Sequence, residues 1–176
     1  MNCSLLPTSE DQSYCKNPSS DPAWQVTGAF CQMQESEVQL SNDDDRLIKI
    51  QARFADDLSK RMAGYQFIGS QVIKKTVILF LFPSEILGAF HMCNVLTPLD
   101  IAWIHKDGSI LDVQTMQPGP IHAPLGCPAL YAPKRSEKYR YALEARQGFF
   151  NEIRISVCSE EKREKCKARL IIQALP

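Results

Sequence analysis

Two strand-like runs, residues 99–104 and 109–116, flank His105-Lys106-Asp107-Gly108, and this arrangement constrains the chain more than any other feature. Asp-Gly supplies the positive backbone dihedral that a tight reversal needs, so the two runs should pair as an antiparallel hairpin. Further strand-like runs recur at residues 76–82, 87–93, 138–145 and 168–175. Over residues 47–54, Ile48, Ile50 and Ala52 alternate with Lys49, Gln51 and Arg53, the period of a half-buried strand. A change of period follows: Asp56 and Asp57 can cap a helix in which Leu58 and Met62 fall one turn apart, ending near Gly64. Residues 149–153 suit a helical turn, and Glu161 four residues before Lys165 suits an exposed helix over 159–167. Residues 118–133 hold five prolines and two glycines, which makes them an ordered surface loop and not a central strand. Many short strands with scraps of helix predict an all-β, mainly antiparallel fold: a small sandwich or barrel-like domain with one or two short helices.

At 176 residues the chain suits one core, with 44% apolar and 23% charged residues in ordinary globular proportion. Lys plus Arg equals Asp plus Glu at 20 each, so no global field is available to hold nucleic acid or an anionic membrane. The longest apolar run, residues 76–83, is too short to cross a bilayer, and the N-terminus lacks the basic start and apolar core of a secretory leader. A cytoplasmic protein is the expectation. Seven cysteines, an odd number without tight metal spacing, then predict reduced, metal-free thiols. No cofactor motif is present, so no cofactor is expected.

Three regions follow. Residues 1–46 form a polar extension ending in Asp43-Asp44-Asp45, in which Trp24, Val26 and Phe30 are too large and apolar for a solvated tail. These three are candidate anchors for a protein partner or a neighbouring subunit, or they cover the sheet edge of the chain's own domain. Residues 47–155 form the β domain, and residues 156–176 a C-terminal helix-strand extension.

The stretch Phe90-His91-Met92-Cys93-Asn94-Val95-Leu96-Thr97-Pro98-Leu99-Asp100-Ile101-Ala102-Trp103-Ile104 precedes Asp107-Gly108 and Gln114-Thr115-Met116-Gln117-Pro118. Together they resemble the central signature of the bacterial domain of unknown function 192 family. Tyr141-Ala142-Leu143-Glu144 and Gly148-Phe149-Phe150 resemble its second signature, and the resemblance covers about residues 47–155. It implies a β-sandwich or barrel-like fold and no established activity. Family members usually carry Trp-Met-Lys-Asn-Thr where this chain has His91-Met92-Cys93-Asn94-Val95. Many also carry a cysteine soon after the Met-Gln-Pro segment, where Gly119 stands here and only Cys127-Pro128 remains. The resemblance therefore does not extend to the family's exported, disulfide-bonded form.

Within the two signatures, Asn94, Asp100 and Glu144 are the embedded polar groups, and two carboxylates could do acid/base work if burial separates their pKa values. The structural alternative is that Asp100 holds strand ends together and Asn94 closes a turn. His91, Cys93 and Tyr141 complete the candidate cleft, and Tyr139, Phe149 and Phe150 could also line it. His91 and Cys93, two apart on a strand, share a face and could bind zinc with His122 and Cys127, although the spacing of that second pair matches no standard module. Two functional readings remain: a non-catalytic interaction module within a larger assembly, or a small-molecule binder or small enzyme using Asn94, Asp100 and Glu144.

Overall fold

In a computed structural model of the chain, residues 22–123, 126–159, 161 and 165–171 are described, with side chains from residue 27 onward. The hairpin forms as its turn predicts. Strands β5 (Leu99–Ile104) and β6 (Ile110–Met116) pair antiparallel, Gly108 has φ 90°, and its N–H donates to His105 O at 2.9 Å. On the other side of β5 lies β8 (Tyr139–Arg146), followed outward by β3 (Ile78–Ile86), β2 (Leu47–Ala55), β1 (Gln34–Ser41) and β9 (Arg169–Leu170). The fold is mainly β, a strongly curled half-barrel of seven strands. Its edges meet at one end, where Ser109 bridges Arg169 and Leu170 N donates to Gly108 O at 2.8 Å.

Alternation along the strands divides the buried residues between two faces. One cluster receives a side chain from every strand of the sheet, among them Val38, Ala52, Leu79, Ala102, Ile110, Leu143 and Leu170, and so lies inside the curl. The other gathers Ile78, Phe80, Ile101, Trp103 and Ala142 beneath the helices. All six residues of β5 are buried, because its two faces feed the two clusters and both are covered.

Four short helices are described, more than the one or two expected: α1 (Pro22–Cys31), α2 (Leu58–Ala63), α3 (Ser70–Ile73) and α4 (Phe149–Glu152). Helix α2 starts as its sequence predicts, with Asp57 Oδ1 accepting from Lys60 N at 2.8 Å, and stops at Gly64, whose φ is 47°. Helices α2 and α3 carry the chain from β2 to β3, which pair in parallel and make the sheet mixed. The strand expected over 87–93 contracts to β4 (Phe90–His91), which pairs with β7 (Leu130–Tyr131) in a separate two-stranded sheet. Of the helix expected over 159–167, residues 160 and 162–164 lie outside the described residues, and residues 166–167 are not helical.

One expectation is overturned and one alternative is selected. Of the two places open to the N-terminal segment, residues 27–41 take the chain's own domain: β1 pairs with β2 along eight residues and with β9, and Phe30 of α1 is 1% exposed within the core. Its ring lies 5.9 Å from that of Tyr65, and the Arg53 guanidinium sits 4.7 Å above it. Phe30 thus docks on its own domain; the side chains of Trp24 and Val26 lie outside the described residues. The overturned expectation is that of seven reduced cysteines. Cys93 pairs with Cys127 (Cα atoms 5.6 Å apart), Cys158 pairs with Cys166 (5.8 Å), and Cys31 is also disulfide-bonded. An odd count says nothing about which sulfurs folding brings together. No helix among the described residues is long and apolar enough to cross a membrane.

If α1 is part of the core, Phe30→Ala should cost about 3–5 kcal/mol of stability in urea unfolding of the full chain. An unchanged midpoint would show that Phe30 is free to dock elsewhere.

Candidate functional site

A cavity of about 210 Å³ opens where α2 crosses β3 and β8. Its floor holds Glu144, which sits between Ile78 of β3 and Ile101 of β5 in the strand register and is 4% exposed. No hydrogen bond or ion pair reaches this carboxyl among the described residues, and burial pushes its pKa from 4.5 up to about 8. At neutral pH it is therefore a neutral acid, able to donate a hydrogen bond.

Aromatic rings build the walls. Phe90 meets Phe80 edge-on at 5.1 Å and lies 6.3 Å from Tyr139, while Phe82 meets Tyr139 edge-on at 5.5 Å. Burial raises the Tyr139 hydroxyl to about 12, and that of Tyr65, which bonds Thr76 Oγ1 at 3.2 Å, well above its ordinary value. Glycine at 88 admits the Tyr139 hydroxyl, from which a Cβ there would stand 3.0 Å. A Cβ on Gly64 would meet Glu144 Oε2 at an ordinary contact distance of 3.8 Å, and what requires glycine there is its φ of 47°. Arg61 supplies the cleft's fixed positive charge. Its Nη1 donates to Asp56 O and Leu81 O, each at 2.8 Å, and its guanidinium lies 5.5 Å over the Phe82 ring. His91 lines the same cleft, with Nδ1 buried and without a hydrogen-bond partner.

The proposed trio is not assembled. Asp100 pairs with Ala145, one residue beyond Glu144, so side-chain alternation sends the two carboxyls to opposite faces of the sheet. Asp100 instead accepts from Thr115 Oγ1 and Gly148 N, each at 2.7 Å, tying β6 and the turn before α4 to β5. Asn94 is a turn clamp at φ 63°: Oδ1 accepts from His122 N and Nδ2 donates to Gln66 Oε1, both at 2.8 Å. Tyr141 packs with the interior cluster, as do Phe149 and Phe150, so among the aromatic candidates only Tyr139 reaches the cleft. Of the suggested zinc set, His91, Cys93 and Cys127 converge. The His122 ring stacks on Phe67 at 5.2 Å instead. Arg61, Phe82 and Phe90 are among the cleft residues that sequence reasoning missed; for Phe82 the signal was the alternation of phenylalanines at 80 and 82.

Removing the buried Asp100 carboxylate leaves the Gly148 N–H without its acceptor. Asp100→Ala should therefore cost about 1–3 kcal/mol in chemical unfolding while leaving the cleft's pH behaviour intact. A loss of that pH behaviour without a loss of stability would return Asp100 to the site.

Solved structures share this architecture. A protein from Sinorhizobium meliloti 1021, whose crystal structure is described as a "putative transcription regulator", is 24% identical with a TM-score of 0.61. The match covers 78% of this chain and 93% of that one. A protein of unknown function from Novosphingobium aromaticivorans DSM 12444 is 16% identical with a TM-score of 0.57, over 81% and 89% of the two chains. At these identities the likeness speaks for the fold alone. No curated protein matches the sequence. A family model described as DUF192, uncharacterized ACR, matches residues 38–160, and the chain belongs to that family.

Proposed function

We propose that the protein is a small-molecule-binding module whose site is the cleft over Glu144. Its ligand is compact and largely apolar, with a carbonyl or carboxylate that accepts hydrogen bonds. The observation that carries this reading is Glu144 itself. A buried carboxyl without a partner destabilises a fold relative to an apolar side chain of similar size, and such a cost is characteristic of sites that use the group. The neutral acid donates, the Arg61 guanidinium adds positive charge, and the phenylalanine walls accept an apolar body.

A second reading, an interaction module in a larger assembly, has its own support at the rim of the same cleft. Leu58 and Met62, one turn apart on α2, are 70% and 61% exposed. Replacing both with Glu would then abolish co-purification of a protein partner while leaving small-ligand binding unchanged. We also infer an oxidising compartment, since the Cys93–Cys127 and Cys158–Cys166 disulfides persist most readily in one.

The acid's titration gives two tests. Because the folded-state pKa of Glu144 lies near 8 and its ordinary value is 4.5, the unfolded chain ionises first. The contribution of this group to stability falls as pH rises from about 4.5 to about 8 and is flat above that. Glu144→Gln should remove that dependence in urea titrations across this range. For binding, thermal-shift measurements with a panel of small carboxylates and ketones should show affinity that declines above pH 8 in the native chain. Gln keeps a donor, so Glu144→Gln should hold its affinity there, and Glu144→Leu should bind poorly throughout. Equal shifts for Glu144→Leu and the native chain, or a preference for amines, would refute the reading.

A further inference from the structure

Where β4 meets β7, two sulfurs and an imidazole converge. One ring nitrogen of His91 and the sulfurs of Cys93 and Cys127 lie within 4.8 Å of one another. In the oxidised chain the sulfurs are bonded to each other. That bond alone gives His91 no role, yet Nδ1 is buried with no hydrogen-bond partner, an arrangement that is unfavourable when nothing offsets it. The Cys93 N–H points at Cys127 Sγ, 3.1 Å away, where it would stabilise negative charge on that sulfur.

The backbone holds these groups in place. Gly119 N donates to Met92 O at 2.8 Å, and a Cβ on Gly119 would stand 2.7 Å from Met92 C and O, so the 118–120 segment rests directly on the chain between His91 and Cys93. Asn94 pins the next residue through Gln66 and His122. A pair of thiols released here would stay beside the imidazole instead of dispersing.

We propose that Cys93, Cys127 and His91 are a redox-gated zinc(II) site. A dithiol reductant supplies two electrons and two protons: the Cys93–Cys127 bond breaks, two thiols form, and the reductant leaves as its disulfide. Zinc(II) then displaces both thiol protons to solvent and takes two thiolates and one neutral imidazole, with water in the fourth tetrahedral position. Two thiolates and an imidazole suit zinc(II) far better than magnesium or calcium, which select oxygen donors. A small-molecule disulfide reverses the step: it accepts the two electrons, takes two protons from solvent and leaves as its dithiol, while the Cys93–Cys127 bond re-forms and zinc(II) returns to solvent. His91 also lines the cleft over Glu144, so the two sites adjoin, but the zinc proposal does not rest on the ligand proposed there.

Cobalt(II) reports on such a site spectroscopically. The full chain, reduced with a phosphine, desalted without oxygen and titrated with cobalt(II), should develop a near-ultraviolet thiolate-to-cobalt band that saturates at about one equivalent and is bleached by zinc(II). The oxidised chain should develop none. Cys93→Ser and Cys127→Ser should each abolish the band, and His91→Ala should weaken binding roughly tenfold or more. Cys158→Ser and Cys166→Ser should leave it unchanged. If reduction unfolds the chain, cobalt(II) should restore its far-ultraviolet circular dichroism. A reduced chain without the band, a band that survives Cys93→Ser or appears in oxidised protein, or an unfolded reduced chain that cobalt does not refold would each overturn the proposal.

Discussion

The pairing of β5 with β8 is the constraint on which the rest of the molecule depends. It lies one strand in from the β6 edge of the curled sheet, and its register sets which side chains face the interior and which face the helices. Ile101 opposite Glu144 puts the acid on the helix-covered face; Asp100 opposite Ala145 puts the second carboxyl on the other. A slip of one residue would exchange these environments and turn every apolar side chain of the strand to the wrong side.

The cleft follows from how that face is covered. Helix α2 crosses over β3 and β8, and the chain turns away at Gly64 without a side chain, so the space above Glu144 is left open and not filled by a methyl or larger group. Phe90 connects the cleft wall to the core through edge-on packing with Phe80 and Trp103. The small sheet that carries Phe90 also carries His91, so the apolar wall and the sulfur-imidazole group are built on neighbouring residues of β4, which pairs with β7.

Sequence reasoning succeeded where the cause was local. The Asp107-Gly108 reversal, the Asp57 cap and the alternation at 47–54 depend on residues a few positions apart, and each took the expected form. It failed at β1, whose sequence Gln-Glu-Ser-Glu-Val-Gln-Leu-Ser looks solvated. Only Val38 and Leu40 there are buried, and the polar residues face outward along an outer strand. It failed at the cysteines because Cys93 and Cys127 are 34 residues apart, and spacing carries no information about a contact made by a folded loop. The paired-carboxylate idea failed on parity: Asp100 and Glu144 look equivalent in their motifs until the strand register is known.

Taken alone, the sequence determined the β-rich class, the hairpin, the capped helix after β2 and the family to which the chain belongs, because turn chemistry and side-chain period act over short distances. Tertiary structure decided the parallel β2–β3 pair, the docking of Phe30, the disulfides, the isolation of Glu144 from Asp100 and the meeting of His91 with two sulfurs. Each of these depends on register and on contacts between residues far apart in the chain, and burial, which makes Glu144 a neutral acid, exists only once those contacts have formed.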